Sequence, residues 1–122
     1  MITAIFLILV IAVLGAYIAS VATTQHTTAA LDLQGAKAYQ AAYAGIQWGA
    51  YKVLQNSACN AAPTSFSGLA GTLSPFTVTV TCVSSIYSEG GAPVSVYQIV
   101  STATAGAGAF QVERQLQVTI GK

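Results

Sequence analysis

Residues 2–22 read ITAIFLILVIAVLGAYIASVA, and the first charged side chain in the chain comes only later, at Asp32. Apart from Thr3, Gly15, Tyr17 and Ser20, every position of this stretch is Ile, Leu, Val, Phe or Ala. About a dozen of these are Ile, Leu, Val or Phe, each worth roughly −0.3 to −0.6 kcal/mol at the centre of a membrane helix. The sum, roughly −4 to −7 kcal/mol, favours insertion into a bilayer. About 20 residues at ~1.5 Å rise also match a hydrocarbon core ~30 Å thick. A buried helix of a soluble protein would usually keep a polar stripe, and this stretch has none. A secretory signal peptide is the nearer rival, because Ser20-Val21-Ala22 is a small-residue site of the kind signal peptidases cut. Against it stands the lack of a basic flank before the apolar run. That lack predicts a short charged leader removed ahead of Met1, with cleavage before the apolar segment rather than after it.

Reading onward, no proline occurs before Pro63, and Ala, Leu, Gln and Tyr dominate up to Gln55. One continuous helix from about Ile2 to Gln55 would be roughly 80 Å long, well beyond the usual length in a small domain. The expected divisions are an apolar membrane helix over 1–22, an amphipathic continuation over 23–55, and a β-rich head over 56–122. In the continuation Ala36, Tyr39, Tyr43, Ala50 and Leu54 share one stripe, with Ile46 and Val53 at its margin. This stripe, and Tyr39, Tyr43, Ile46, Val53 and Leu54 in particular, is expected to pack on a sheet. Gly35, Ala38, Ala42, Gly45 and Gly49 share a narrower arc at three- and four-residue spacings. Small side chains in such a row let a second helix approach closely. Since glycine costs about 1 kcal/mol in a helix interior, these positions are expected to pack against another helix. The alternative is mere richness in Gly and Ala.

Beyond Gln55 the residues turn to Asn, Ser, Gly and Pro, the punctuation of loops. Three alternating runs follow: Phe76–Ser84, Val94–Thr104 and Phe110–Ile120. The last is the cleanest, with Phe110, Val112, Leu116, Val118 and Ile120 on one face and Arg114 the one charge in that register. The connectors 88–93 and 105–109 suit antiparallel hairpins. The expectation is an α+β fold: a long N-terminal helix on a three-stranded meander, with a fourth short strand near Leu69–Leu73. Cys59 and Cys82, an even pair in a small domain beyond a membrane segment, point to a disulfide in an oxidising compartment, with free thiols as the alternative. Closing a loop of this length would stabilise the head by roughly 3 kcal/mol.

Charge narrows the function classes. Only 6% of residues are charged and the net charge is +1, against roughly 25% charged in an average soluble domain. Four cations spread from Lys37 to Lys122 build no basic face, so nucleic acid is not an expected partner. The three acids, Asp32, Glu89 and Glu113, are scattered, and the single histidine, His26, has no carboxylate near it in sequence on the same helix face. No catalytic, metal or cofactor site is expected. The aromatic residues along the helix are expected to serve packing. No Asn-x-Ser/Thr acceptor occurs.

A long helix, half membrane-spanning and half laid on an antiparallel sheet, with a cysteine pair in the head, resembles the type IV pilins. The run Leu33–Tyr51, LQGAKAYQAAYAGIQWGAY, looks like the corresponding segment of MSHA-pilus biogenesis proteins of the MshP type. There Gly-x-x-Ala-Tyr-x-Ala-Ala leads into Gly-x-x-Trp-Gly, and here those positions are Gly35, Ala38, Tyr39, Ala41, Ala42, Gly45, Trp48 and Gly49. Cys59, Gly68-Leu69, Cys82, Tyr97, Ile99–Thr102 and Val112-Glu113-Arg114 follow in the same order. The resemblance implies a subunit of an extracellular filament, a homo-oligomer in contact with other pilins and with a pilus assembly machinery. Such a subunit is stored in the inner membrane before it is assembled on the bacterial surface. It implies that Ile2, Ile5, Phe6, Leu9, Val13 and Leu14 pack in the filament core beside the small-residue arc. One position departs from the pattern. Most type IV pilins carry a glutamate where Ile5 stands, and pilin-like proteins lacking it are often tip or initiating subunits. The expectation is therefore a filament subunit, with a minor tip or priming pilin as the alternative. A membrane-tethered surface-binding module is the reading from outside that machine.

Overall fold

The backbone of the computed structural model describes residues 1–122. A single α-helix, α1, runs from Ile2 to Asn56 without a break. Four strands follow: β1 (Thr64–Phe66), β2 (Thr77–Glu89), β3 (Ala92–Ala105) and β4 (Val112–Gly121). They form one antiparallel sheet in the order β1-β2-β3-β4, so each strand pairs with its neighbour in sequence. This is the α+β layout of a long helix on a small antiparallel sheet. The chain divides into two units, Met1–Leu33 and Gln34–Lys122.

The first unit is helix alone. Every residue from Met1 to Gln34 is exposed, including each bulky apolar side chain of the N-terminal run. The helix contains a stretch long and apolar enough to cross a membrane. At its polar end Ser20, Thr23, Thr24, Thr27 and Thr28 turn their hydroxyls back onto carbonyls three or four residues earlier, for example Thr23 Oγ1 to Ala19 O at 2.7 Å. Hydroxyls satisfied in this way need no water, which lets a helix keep Ser and Thr next to hydrocarbon.

The second unit is the head. Residues Gln34–Asn56 of α1 lie on one face of the sheet, and the core between them contains Ala38, Ala41, Ala42 and Val53 from the helix with Val78, Val80, Tyr97, Ile99 and Ala103 from the strands. Thr77, Thr79, Thr102, Thr104, Gln115 and Gln117 fall on the opposite face, as period-2 alternation requires. The helix ends at Ser57, which adopts φ +49° and donates its N–H to Val53 O at 3.0 Å. Lys122 Nζ then donates to Leu54 O at 3.1 Å and to Ser57 Oγ at 3.3 Å, so a cation serves the carbonyls of the last turn.

Three features of the sheet differ from the sequence expectation. The fourth strand is Thr64–Phe66, whereas Gly71–Leu73 forms a 3-10 turn; a Gly followed closely by Pro75 turns the chain rather than extending it. The connector expected over 88–93 shrinks to Gly90-Gly91, because β2 runs on to Glu89 and β3 begins at Ala92. Both glycines have positive φ, +59° and +88°, as the tight hairpin turn that matches strand twist requires. The apolar alternation fades after Cys82, so the extra length of β2 leaves no trace in pattern. Phe110 belongs to a 3-10 turn rather than to β4, and it is exposed.

Candidate functional site

The helix–sheet contact of the head is set by close approach. Gly45 and Gly49 face the sheet directly. A Cβ added at Gly45 would overlap Ser101 Oγ and lie 2.6 Å from Val78 Cγ1, and one added at Gly49 would lie 2.8 Å from Ile99 Cγ2. Here the sheet supplies the bulk and the helix supplies the space. Ser101 fits beneath Gly45 because it is small, yet its Oγ is buried without a hydrogen-bond partner.

This arrangement corrects the two helix faces. Ala38, Ala42, Gly45 and Gly49, expected to receive another helix, are buried in the head. Gly35, from the same arc, lies near Arg114 Nη2. Tyr39, Tyr43 and Leu54, expected on the sheet, are about half exposed, and the two tyrosine rings stack on each other with centroids 6.4 Å apart. Val53 is buried and Ile46 packs against the core from its edge. The buried face is thus rotated by roughly one residue, about 100°, from the tyrosine stripe. Apolar residues occur on every side of α1, so periodicity does not single out a face; the close approach that glycine permits does.

The remaining sequence candidates fall as follows. Cys59 and Cys82 form a disulfide, with Cα atoms 5.2 Å apart, which ties the loop after α1 to β2. Ile2, Ile5, Phe6, Leu9, Val13 and Leu14 are all exposed in the first unit, each at 55% or more. His26 and Asp32 belong to that unit, Glu89 to the end of β2 and Glu113 to β4.

Beside the disulfide the head holds a cavity of about 270 Å³, lined by Trp48, Gly49, Lys52, Ala58, Asn60, Thr64, Val80 and Cys82. Lys52 and Trp48 are one helical turn apart, which sets the ammonium over the indole at 5.6 Å from its centroid. Phe66 of β1 meets the indole at 5.7 Å with a 49° tilt. The lining therefore offers an aromatic face, a cation and the polar groups of Asn60 and Thr64, with no carboxylate. In sequence Trp48 enters only through the Gly-x-x-Trp-Gly pattern, and Lys52 carries no expectation. The i, i+4 aromatic–cation pair was the available signal, but the wall facing it comes from β1 and from the disulfide loop.

Beyond Cys82 the β2–β3 hairpin outruns β1. Pairing with β1 stops at Val80, and one further backbone hydrogen bond, from Cys82 N–H to Asn60 O, closes that edge. Val83, Ile86 and Tyr87 on this ribbon are exposed, Ile86 at 75%. Gly90-Gly91 is a sequence signal for the turn, whereas the length of the ribbon shows in no alternation. Comparison of the chain with protein-family models, with curated proteins and with solved structures finds no match.

Proposed function

We propose that this chain is a structural subunit of a type IV pilus-like filament. It is held in the inner membrane through Ile2–Ala22 before assembly and packs through the same segment afterwards. The observation that carries the reading is the state of the first unit: its large apolar side chains are exposed on every side of the helix. Exposed hydrocarbon on that scale requires lipid or other helices around it. The segment is comparably stable in either surrounding, because lipid tails are as apolar as Ile or Leu, so transfer between them costs little. An external motor can then drive assembly and disassembly. The resemblance of Leu33–Tyr51 to MshP-type proteins favours an MSHA-like pilus within this class.

Ile5 favours a second reading in the same machine, a minor pilin at the tip or in priming. A carboxylate at this position would have to be paired in hydrocarbon. Its replacement by isoleucine removes that requirement together with the docking cue it supplies.

The test is to shear surface filaments from the source cells, image them, and measure this protein's share by mass spectrometry. Near-total share identifies the filament subunit. A trace share beside another pilin identifies the minor subunit, and absence from the filaments overturns both.

A further inference from the structure

We propose that the β2–β3 hairpin is an assembly arm that docks in the Trp48–Lys52 cavity of a second copy of the chain. The inference rests on the reading above only in that copies of this chain meet.

The ribbon has the properties of an arm. On its β1 side the ribbon is unpaired from Val83 to Glu89, since β1 reaches no further than Val80 and the last backbone hydrogen bond on that edge runs from Cys82 N–H to Asn60 O. A free two-stranded ribbon with exposed apolar side chains is marginal in water and gains by being covered. Its Gly90-Gly91 turn and long register hold it in one shape before contact, which lowers the ordering cost of docking. Strand addition along β3 is blunted at the tip. Pro93 pairs opposite Ser88, one step inside the Glu89–Ala92 pair that closes the turn, and its missing N–H falls on the outer edge. The contact is therefore made by side chains.

Charge selects the occupant. Tyr87 and Glu89 are two apart on a strand, hence on one face. Trp48 and Lys52 are four apart on the helix, with the ammonium 5.6 Å from the indole centroid. An aromatic–acid pair on the arm thus complements an aromatic–cation pair in the cavity. Of the three acids in the chain, Glu89 is the one on the arm, and no carboxylate lines the cavity. Arm and cavity are different surfaces of one head, so the contact is head-to-tail and repeats from copy to copy, as a helical assembly requires.

The experiment places the photoreactive residue p-benzoylphenylalanine at position 87 of the full-length chain in membranes and sheared surface material. After irradiation, the cross-linked dimer is mapped by mass spectrometry. Tyr87 is exposed, so the head folds with this replacement. The expected adduct joins position 87 to Trp48 or to 58–64 of a second copy. Glu89→Lys and Lys52→Glu should each lower the yield about tenfold through like charge, and the double reversal should restore it. Adducts elsewhere on the second copy, no dimeric adduct, or no restoration in the double variant overturn the docking. Filaments with adducts elsewhere overturn the arm and leave the filament reading intact. The expected adduct in membranes without filaments supports the arm and overturns the filament reading.

Discussion

Between Met1 and Leu33 α1 carries bulky apolar side chains and exposes all of them, whereas between Gln34 and Asn56 it buries mainly alanine and glycine. The two parts belong to one helix and differ in what their surfaces can be packed against. The small residues of the second part meet Val78, Val80 and Ile99, whose bulk fills the gap. The large residues of the first part are covered by nothing in their own unit. Hydrophobicity shows that a surface must be covered; side-chain size shows how near the cover can come.

The contrast is open to attack at either end. The largest effect is expected from Leu9→Arg combined with Val13→Arg. Two arginines near the centre of the apolar run should shift membrane insertion by about 6–8 kcal/mol. Cell fractionation should find the protein lost from the membrane, while the disulfide-bonded head unfolds at an unchanged urea midpoint. A head destabilised by this change would mean that the two parts are not independent.

Next in size is Gly45→Val. The added side chain must displace Ser101 and Val78 together, and β-branching adds helix crowding, so at least about 3 kcal/mol of head stability should be lost. Urea unfolding in detergent measures it. A neutral result would mean that the helix stands farther from the sheet than described.

Ser101→Ala should move stability the other way, by up to about 1 kcal/mol. It removes a buried hydroxyl without a partner and makes room beneath Gly45. A loss of stability would reveal a hydrogen bond at that hydroxyl.

The smallest effect belongs to the stripe that sequence periodicity favoured. Tyr39→Ser with Tyr43→Ser should change head stability by no more than about 0.5 kcal/mol per site, because both rings are exposed. The same unfolding experiment applies. A loss comparable to that of Gly45→Val would return the tyrosines to the core.

Much of this molecule is legible in its residues. A proline-free run of apolar and then mixed residues dictates α1, and alternation in 77–82, 94–104 and 112–120 dictates most of three strands, because both periods are properties of the backbone itself. The paired cysteines and the scarcity of charge are equally local. Harder to read were the features in which one element supplies what another lacks. The sheet-facing side of α1 depends on Val78, Val80 and Ile99 being large where Gly45 and Gly49 are absent of side chain. The cavity depends on β1 and the disulfide loop facing Trp48 and Lys52. The free edge of the β2–β3 ribbon depends on where β1 stops.

Local residue order sets the kind of each element and the need of Ile2–Ala22 for an apolar surrounding, since these follow from backbone period and transfer free energy. Which face of α1 is buried, and where the free surfaces lie, emerges when the elements pack together. Packing depends on the complementarity of two surfaces, and a single segment carries the shape of one of them.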